Sequence, residues 1–209
     1  MTGGAAHPEP PTDLHLRPLP LARESGPWVR AHALRNDPLY FGTNGSERFD
    51  DPLRAFGVCY VGADDACAFI ETVTVAAPAL AGGRRTIPAG FLDLRGRAEA
   101  TLLGAAPLRL VDLTGQGLAT LGADADLCSC RNYGVCQRWS RALHEHPESP
   151  DGLLYRARHD PSLLSVALFG DRVDGRIAMA RRGAWGDRAN AAILVTILRR
   201  YRLAEQLRG

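Results

Sequence analysis

The sequence contains no lysine. All 25 of its basic residues are arginine, set against 23 Asp and Glu for a formal net charge of +2. Without an amine side chain, the chain cannot form a lysine Schiff base or the lysine-dependent phosphate-binding loop. The sequence pI of about 8.4 is also lower than the value above about 9 that is typical of a dedicated nucleic-acid-binding module. We therefore expect no direct contact with nucleic acid.

Long hydrophobic runs are also lacking. The best candidate, residues 191–198, contains Thr196 and is followed by two arginines, well short of the about 20 apolar residues that a membrane helix needs. The first 20 residues hold five prolines and no basic leader ahead of an apolar segment. These features predict no membrane span, no secretory signal, a flexible proline-rich arm over residues 1–22, and a cytoplasmic protein.

Recognisable metal and dinucleotide motifs are missing too. Residue types that bind zinc do cluster in the second half of the chain: Cys128, Cys130, Cys136, His144 and His146. A zinc knuckle usually separates its cysteines by about two to four residues, whereas one residue separates Cys128 from Cys130. We expect structural cysteines and no metal site. The glycine-rich dinucleotide signature is absent, so a bound nucleotide must be held in another way.

Hydrophobic periodicity predicts short strands mixed with helices. The strands are expected at 56–61, 98–103, 108–113, 152–157 and 164–169, and the helices after Asp64, after Gly134 and over 188–201. The near-continuous apolar run at 164–169 indicates a central strand. The tight connection at 104–106 predicts that the strands on either side of it pair. Because strands and helices do not alternate regularly, the chain of 209 residues is predicted to form a single α+β domain.

Three segments combine arginine, aromatic and carboxylate side chains, and with two others they occur in a characteristic order. The five are WVRAH to PLYFG at 28–42, ERFDDP at 47–52, GVCYVGADDACAFIET at 57–72, LRLVDLTG at 108–115, and GLLYRARHDPSLLSVALF at 152–169. In this order and spacing the chain resembles the RES-domain family, the toxins of bacterial toxin–antitoxin pairs. The resemblance covers most of the chain and implies a RES domain over residues 23–209.

The resemblance also implies a fold and an activity. The fold would be similar to that of ADP-ribosyltransferases, with a split, mostly antiparallel sheet, flanking helices and a cleft for NAD+. The activity would be cleavage of the nicotinamide–ribose bond of NAD+ by phosphorolysis or hydrolysis. NAD+ would be the substrate, phosphate a co-substrate in the first case, and no resident cofactor is expected. A protein antitoxin of the Xre-like type would be the partner, and a homo-oligomer is left open.

Two alternatives remain beside this activity. One is a protein ADP-ribosyltransferase, and the other is a non-catalytic nucleotide-binding or scaffold protein that kept the fold.

Matching positions carry the expected roles. Glu71 would stabilise the oxocarbenium-like charge that develops on the ribose and would orient the ribose hydroxyls. Arg30 and Arg48 correspond to the two family arginines and would grip the pyrophosphate or an incoming phosphate, because a guanidinium fork suits phosphate oxygens. Tyr60 would either stack on the nicotinamide or ribose, or belong to the core with a bonded hydroxyl.

The chain departs from the family at the third named position. Aligning Tyr155 with the family's Tyr-x-Ser pattern places Ala157 where the serine is expected, and alanine cannot donate a hydrogen bond. The chain would then use His159, Ser162 or Ser165 instead, or have reduced turnover, or be a binding relic. His159 adds a group that titrates near neutral pH, although a histidine before Asp-Pro is also typical of turn packing.

Overall fold

The computed structural model describes residues 8–76, 86–129 and 133–205. The strands within these residues are β1 Leu21–Glu24, β2 Trp28–Ala33, β3 Val58–Gly62, β4 Thr86–Ile87, β5 Arg95–Leu102, β6 Leu108–Leu113, β7 Gly152–Arg156, β8 Leu164–Phe169, β9 Ile177–Ala184 and β10 Ala204–Glu205. The α-helices are α1 Asp65–Ala76, α2 Gly115–Leu121, α3 Asp126–Ser129, α4 Tyr133–His144, α5 Gly170–Val173 and α6 Ala191–Arg200. None of these helices is long and apolar enough to cross a membrane.

Eight strands form one sheet in the order β1-β6-β7-β8-β3-β2-β5-β9, and β4 pairs separately with β10. In the large sheet, β6 and β7 are parallel and the other neighbouring strands are antiparallel. The predicted α+β class and mostly antiparallel sheet are therefore confirmed. The predicted central position of residues 164–169 is confirmed as well, because β8 lies between β7 and β3.

The predicted pairing between the strands at 98–103 and 108–113 is wrong. Both strands form, but β5 pairs with β2 and β9, whereas β6 pairs with β1 and β7. Leu108, Leu110 and Leu113 on β6 are completely buried, so this strand needs cover on both faces and neighbours on both edges. An interior position between β1 and β7 supplies that burial. Burial therefore determines the partners of β6, although the connection between β5 and β6 is short.

The sheet is split between β3 and β2. These strands pair at a single position, Val29 with Gly62, whereas β2 and β5 pair over six residues. Gly62 is needed at the split, because a Cβ there would lie 2.6 Å from the amide nitrogen of Ala68 and 2.8 Å from the Cβ of Cys67. Glycine thus lets α1 approach the sheet closely where the strands part. The predicted split sheet is confirmed.

Two groups of helices pack on the sheet. α2, α3 and α4 cover a core that contains the fully buried rings of Phe49, Trp139 and Phe169. α1 and α6 share a second core, in which Phe69 and Trp185 make an edge-to-face contact at 5.1 Å between ring centroids. Aromatic pairs of this geometry add to the burial of their area. The two cores fix the walls of the space between them.

Residues 8–22, which the sequence predicts to be part of a flexible arm, are packed on α4 and the segment after it. Leu14 and Leu19 are buried in the first core. The ring Nε2 of His146 contacts the carbonyl oxygens of Leu14 at 3.2 Å and Arg17 at 3.0 Å, and the Trp139 indole donates to the carbonyl of Pro8. Proline restricts the unfolded chain, so ordering this segment costs less entropy than its composition indicates. Residues 1–7 of the predicted arm lie outside the described residues.

A pair of leucines in this segment tests its contribution to stability. Leu14 is 3% exposed and Leu16 is 75% exposed, although both belong to the same short 3-10 turn, Leu14–Leu16. We expect Leu14→Ala to lower the free energy of unfolding by about 2–3 kcal/mol through loss of buried surface and the cavity left behind. The matched control, Leu16→Ala, should change it by less than about 0.5 kcal/mol. Urea unfolding of the two variants measures both values. Equal small effects would show that this segment contributes little to stability, as expected of a flexible arm.

Candidate active site

A cavity of about 390 Å³ lies at the split in the sheet. It is lined by β2 and β3, by α1, by the beginning of α4, and by the segments around residues 47–48 and 155–165. Five residues for which the sequence predicts a role line it, namely Arg30, Arg48, Tyr60, Glu71 and His159. The structure therefore brings together side chains from widely separated parts of the sequence.

Glu71 projects from α1 into this cavity and is anchored at one oxygen. Its Oε1 accepts a hydrogen bond of 2.8 Å from the backbone amide of His159. Within the described part of the chain, Oε2 accepts no hydrogen bond and the carboxylate has no ion pair. The side chain is half-buried. The carboxylate is thus oriented by one bond and keeps an oxygen for a ligand.

Arg48 is a buried cation without a carboxylate partner among the described residues. It is 8% exposed, and its Nε lies buried with no hydrogen-bond partner. Its guanidinium lies 5.3 Å from the centre of the Tyr133 ring, a cation–π contact. A buried charge is costly unless it is paired. Arg48 is therefore prepared to bind an anion in the cavity.

The segment that carries Arg48 is held in place from α4 and β3. Gln137 on α4 donates from Nε2 to the carbonyl oxygens of Gly45 and Glu47, each at 2.9 Å. Ser140, also on α4, donates to the carbonyl of Phe49 at 2.7 Å. The position of Arg48 is consequently set by backbone contacts on both sides of it.

Asp51 adds a buried ionic contact to the same segment. Its carboxylate accepts hydrogen bonds from the guanidinium of Arg141 and from the backbone amides of Leu53 and Ala55. Burial alone would raise the pKa of Asp51, but these hydrogen bonds outweigh it and lower the pKa below 3.8. The carboxylate is thus ionised at neutral pH and holds the end of the Arg48 segment on α4.

Arg30 lines the cavity from β2 and also holds the neighbouring loop. Its Nη1 donates to the carbonyl oxygens of Pro38 at 2.6 Å and Tyr40 at 2.8 Å, and contacts the sulfur of Cys59 at 2.8 Å. Burial raises the pKa of Cys59 to about 11, although Arg30 opposes this shift. The sulfur beside Arg30 is therefore a neutral thiol, and these contacts leave the charge of Arg30 uncompensated.

Tyr60 combines the two interpretations that the sequence left open. Its hydroxyl donates to Oδ1 of Asp50 at 2.9 Å and accepts from the amide of Phe49 at 3.0 Å. Its ring packs against the first core and also lines the cavity. Burial, followed by the negative charge of Asp50, raises the pKa of Tyr60 well above 10. The hydroxyl thus holds the Arg48 segment, and only the ring is presented to a ligand.

The residues near the missing family serine are placed differently from one another. Ala157 is buried and is not among the residues lining the cavity. Ser162 also lies outside the lining, and its hydroxyl donates to Oδ1 of Asp160 at 2.6 Å. Ser165 and His159 both line the cavity. Of the two serines considered as substitutes, only Ser165 can contact a ligand in the cavity.

Four further residues, to which the sequence analysis assigns no individual role, line the cavity. Tyr155 and Tyr133 contribute aromatic rings, and Arg95 and Arg158 contribute guanidinium groups. Arg95 lies 4.9 Å from the centre of the Phe91 ring, and neither arginine has an ion pair with a described residue. The position of Tyr155 in a buried strand is typical of a core residue. With 25 arginines in the sequence, composition does not distinguish Arg95 and Arg158 from the others. Among the described lining residues, four arginines face two glutamates, so the cavity favours anions.

Among the described residues, the cysteines and histidines considered as zinc ligands in the sequence do not line the cavity. Cys128 and Cys136 are buried in the first core, His144 contacts the Asp171 carboxylate, and His146 holds residues 14–17. The described residues contain no group of three or more His, Cys, Asp or Glu placed to bind a metal ion. Cys130 lies outside the described residues.

The fold and the site together define a single-domain α+β protein with a split sheet and an anion-favouring cavity that holds a carboxylate. Residues 27–186 match the RES domain model, and the chain belongs to the RES-domain family.

Two known proteins are similar to parts or most of this chain. A 77-residue stretch, 37% of the chain, is 31% identical to a protein of Sinorhizobium fredii named probable toxin y4kH. That match spans 61% of the relative's length. A chain in the crystal structure of the M. tuberculosis MbcT–MbcA toxin–antitoxin complex superposes with a TM-score of 0.58 at 17% identity, over 85% of this chain and 91% of that one. This second likeness shows a shared fold.

Proposed function

We propose that this chain is a toxin-type enzyme that degrades NAD+ by cleaving its nicotinamide–ribose bond. The observation that carries the proposal is the cavity that both the Glu71 carboxylate and the buried Arg48 line, where Arg48 has no ion pair with a described residue. NAD+ offers both matching features, an anionic pyrophosphate and a ribose that becomes cationic in the reaction. Membership of the RES-domain family supports the same choice.

Glu71 would act on the charge that develops at the ribose. The bond between the ribose anomeric carbon and the nicotinamide nitrogen breaks, and its electron pair leaves with nicotinamide as a neutral base. The anomeric carbon gains positive charge, which a carboxylate already oriented by His159 would stabilise without further reorganisation. Attack by a phosphate oxygen gives an ADP-ribose phosphate ester. Attack by water gives ADP-ribose and releases one proton.

Arg48 and Arg30 would bind the pyrophosphate or the attacking phosphate. Charge-assisted hydrogen bonds from a guanidinium to phosphate oxygens are among the stronger protein hydrogen bonds. Binding an anion would also provide the partner that the buried Nε of Arg48 lacks. The ring of Tyr60 lines the same cavity and would stack on the nicotinamide or the adjoining ribose.

An assay of nicotinamide release tests the proposal directly. Purified protein is incubated with NAD+ in buffer with and without inorganic phosphate, and the products are identified by mass spectrometry. We expect nicotinamide release, with the second product showing whether phosphate or water attacks. Glu71→Gln prepared in the same way is the control for a contaminating activity. Failure to release nicotinamide above the buffer rate in either condition would contradict the enzyme.

The same assay separates the remaining alternatives. Without turnover, the buried Ala157 in place of a serine favours a nucleotide-binding or scaffold protein that kept the fold. If release is accompanied by ADP-ribose attached to a protein, the activity is that of a protein ADP-ribosyltransferase.

A protein antitoxin would hold such an enzyme silent. The structural relative was crystallised as a toxin–antitoxin complex, and we propose a comparable partner for this chain. A reading frame next to its gene is the first candidate, and co-purification of the two products tests the pairing.

A further inference from the structure

One row of residues crosses the sheet beneath the cavity. Tyr155 on β7 lies opposite Ser165 on β8, Ser165 lies opposite Gly62 on β3, and Gly62 lies opposite Val29 on β2. Residues opposite one another on neighbouring strands share a face of the sheet. All four line the cavity. They therefore form its floor, and Tyr155 and Ser165 are the members that carry hydroxyls.

The Ser165 hydroxyl is buried but weakly satisfied. The residue is 3% exposed, and its Oγ lies 3.2 Å from the sulfur of Cys67. Either atom of this contact can be the donor, and the Cys67 sulfur also lies 3.0 Å from the carbonyl oxygen of Leu164, which can accept its single thiol proton. Sulfur is a weak acceptor. The Ser165 hydroxyl can therefore turn to a stronger acceptor that enters the cavity, and its oxygen can also accept.

The Tyr155 hydroxyl makes no hydrogen bond to a described residue, although the side chain is 5% exposed. Its ring is fixed by an edge-to-face contact with Phe49 at 4.9 Å. Burial, with a smaller contribution from the charge of Glu71, raises the pKa of Tyr155 well above its usual value. The group therefore remains a neutral donor. The side chain lines the cavity, so this hydroxyl is available to donate to a ligand there.

Both hydroxyls line the same cavity as the Glu71 carboxylate. Glu71 follows Cys67 by one helical turn on α1, so the two side chains lie on the same face of the helix. Cys67 contacts Ser165, and the charge of Glu71 acts on both the Cys67 thiol and the Tyr155 hydroxyl. Two hydroxyls beside a carboxylate suit a sugar with adjacent hydroxyl groups, because each sugar hydroxyl both donates and accepts.

We propose that Ser165 and Tyr155 bind the adjacent hydroxyls of the ribose that Glu71 faces, and that Ser165 supplies the serine hydroxyl absent at position 157. The assignment rests on the proposed function, since it concerns the same substrate. It names the ribosyl group as the part of the ligand that the cavity floor recognises. It also distinguishes Ser165 from Ser162, whose hydroxyl is already bonded to Asp160.

Binding of two related ligands tests the assignment without turnover. Calorimetric affinities of ADP-ribose, which carries the terminal ribose, and ADP, which lacks it, are measured for the wild type, Ser165→Ala, Tyr155→Phe and Ser162→Ala. Loss of one hydrogen bond corresponds to about a 3- to 10-fold weaker affinity. We expect that loss for ADP-ribose in Ser165→Ala and in Tyr155→Phe, with ADP affinity unchanged. Ser162→Ala, the matched control, should bind both ligands as the wild type does.

Other results would contradict the ribose assignment, the choice of Ser165 or the proposed function. If Ser165→Ala and Tyr155→Phe weaken ADP and ADP-ribose equally, or leave both unchanged, the ribose assignment is wrong while the nucleotide site stands. An equal loss of ADP-ribose affinity in Ser162→Ala would overturn the choice of Ser165. If the wild type binds neither ligand, the ribose assignment is wrong, and nicotinamide release from NAD+ decides separately whether the proposed function also fails. Tyr155→Phe removes only a hydroxyl without a described partner, so it provides a folded variant should Ser165→Ala unfold.

Discussion

Glu71→Gln is expected to lower kcat for nicotinamide release by about 10²- to 10³-fold, the range found when one electrostatic group acting on a transition state is removed. The variant changes charge and little else, since a glutamine carbonyl can still accept the 2.8 Å hydrogen bond from His159. The positive charge on the ribose develops only during bond cleavage. KM for NAD+ should therefore change much less than kcat.

Initial rates of nicotinamide release and thermal unfolding of the same preparations check this prediction. Glu145→Gln is the charge-matched control, because that carboxylate is exposed and pairs with Arg141 away from the cavity. It should retain the wild-type rate. Full turnover in Glu71→Gln would remove Glu71 from the reaction. Loss of activity with a large drop in unfolding temperature would instead make it a structural residue that anchors the segment at His159.

Much of the local structure could be predicted from sequence because short-range patterns determine it. α1 begins where the helical periodicity after Asp64 predicts, and β8 has the interior position that its apolar run indicates. Strand partners are a long-range property. Nothing in residues 98–113 reveals that β5 pairs with Trp28–Ala33, about 65 residues earlier in the chain. Leu14 in the N-terminal segment likewise has no periodicity, and only tertiary contact with His146 shows that it is ordered.

In the site, too, some residues can be identified from local sequence motifs and others only from long-range strand pairing. Family resemblance predicts roles for Arg30, Arg48 and Glu71, whereas Tyr60 is indicated by its aromatic ring and His159 by its titrating ring. The structure brings all five to one cavity. Their catalytic and binding roles remain predictions. Ser165 and Tyr155 are harder to recognise, because alternating residues of buried strands are typical of a core. Their importance depends on cross-strand register, since Tyr155, Ser165 and Gly62 lie side by side only in the folded sheet.

Replacing Arg48 with methionine is expected to raise the KM for NAD+ by about 10- to 100-fold, corresponding to the loss of a hydrogen bond to a charged group. The same change should leave the free energy of unfolding unchanged or raise it. An unpartnered buried donor costs about 1–3 kcal/mol, whereas the cation–π contact with Tyr133 contributes about 0.5–2 kcal/mol. NAD+ binding should therefore weaken without a loss of stability, as is typical where a site is built at the expense of stability.

Steady-state kinetics and urea unfolding of Arg48→Met measure the two effects. Arg35→Met, at an exposed arginine outside the cavity, controls for the loss of one positive charge and should alter neither. Arg48→Lys keeps the charge but lacks the planar fork, so it should bind NAD+ more weakly than the wild type and more tightly than Arg48→Met. A clear loss of stability in Arg48→Met with an unchanged KM would show that the buried guanidinium supports the fold. In that case the anion would have to be bound by Arg30, Arg95 or Arg158, the other arginines that line the cavity.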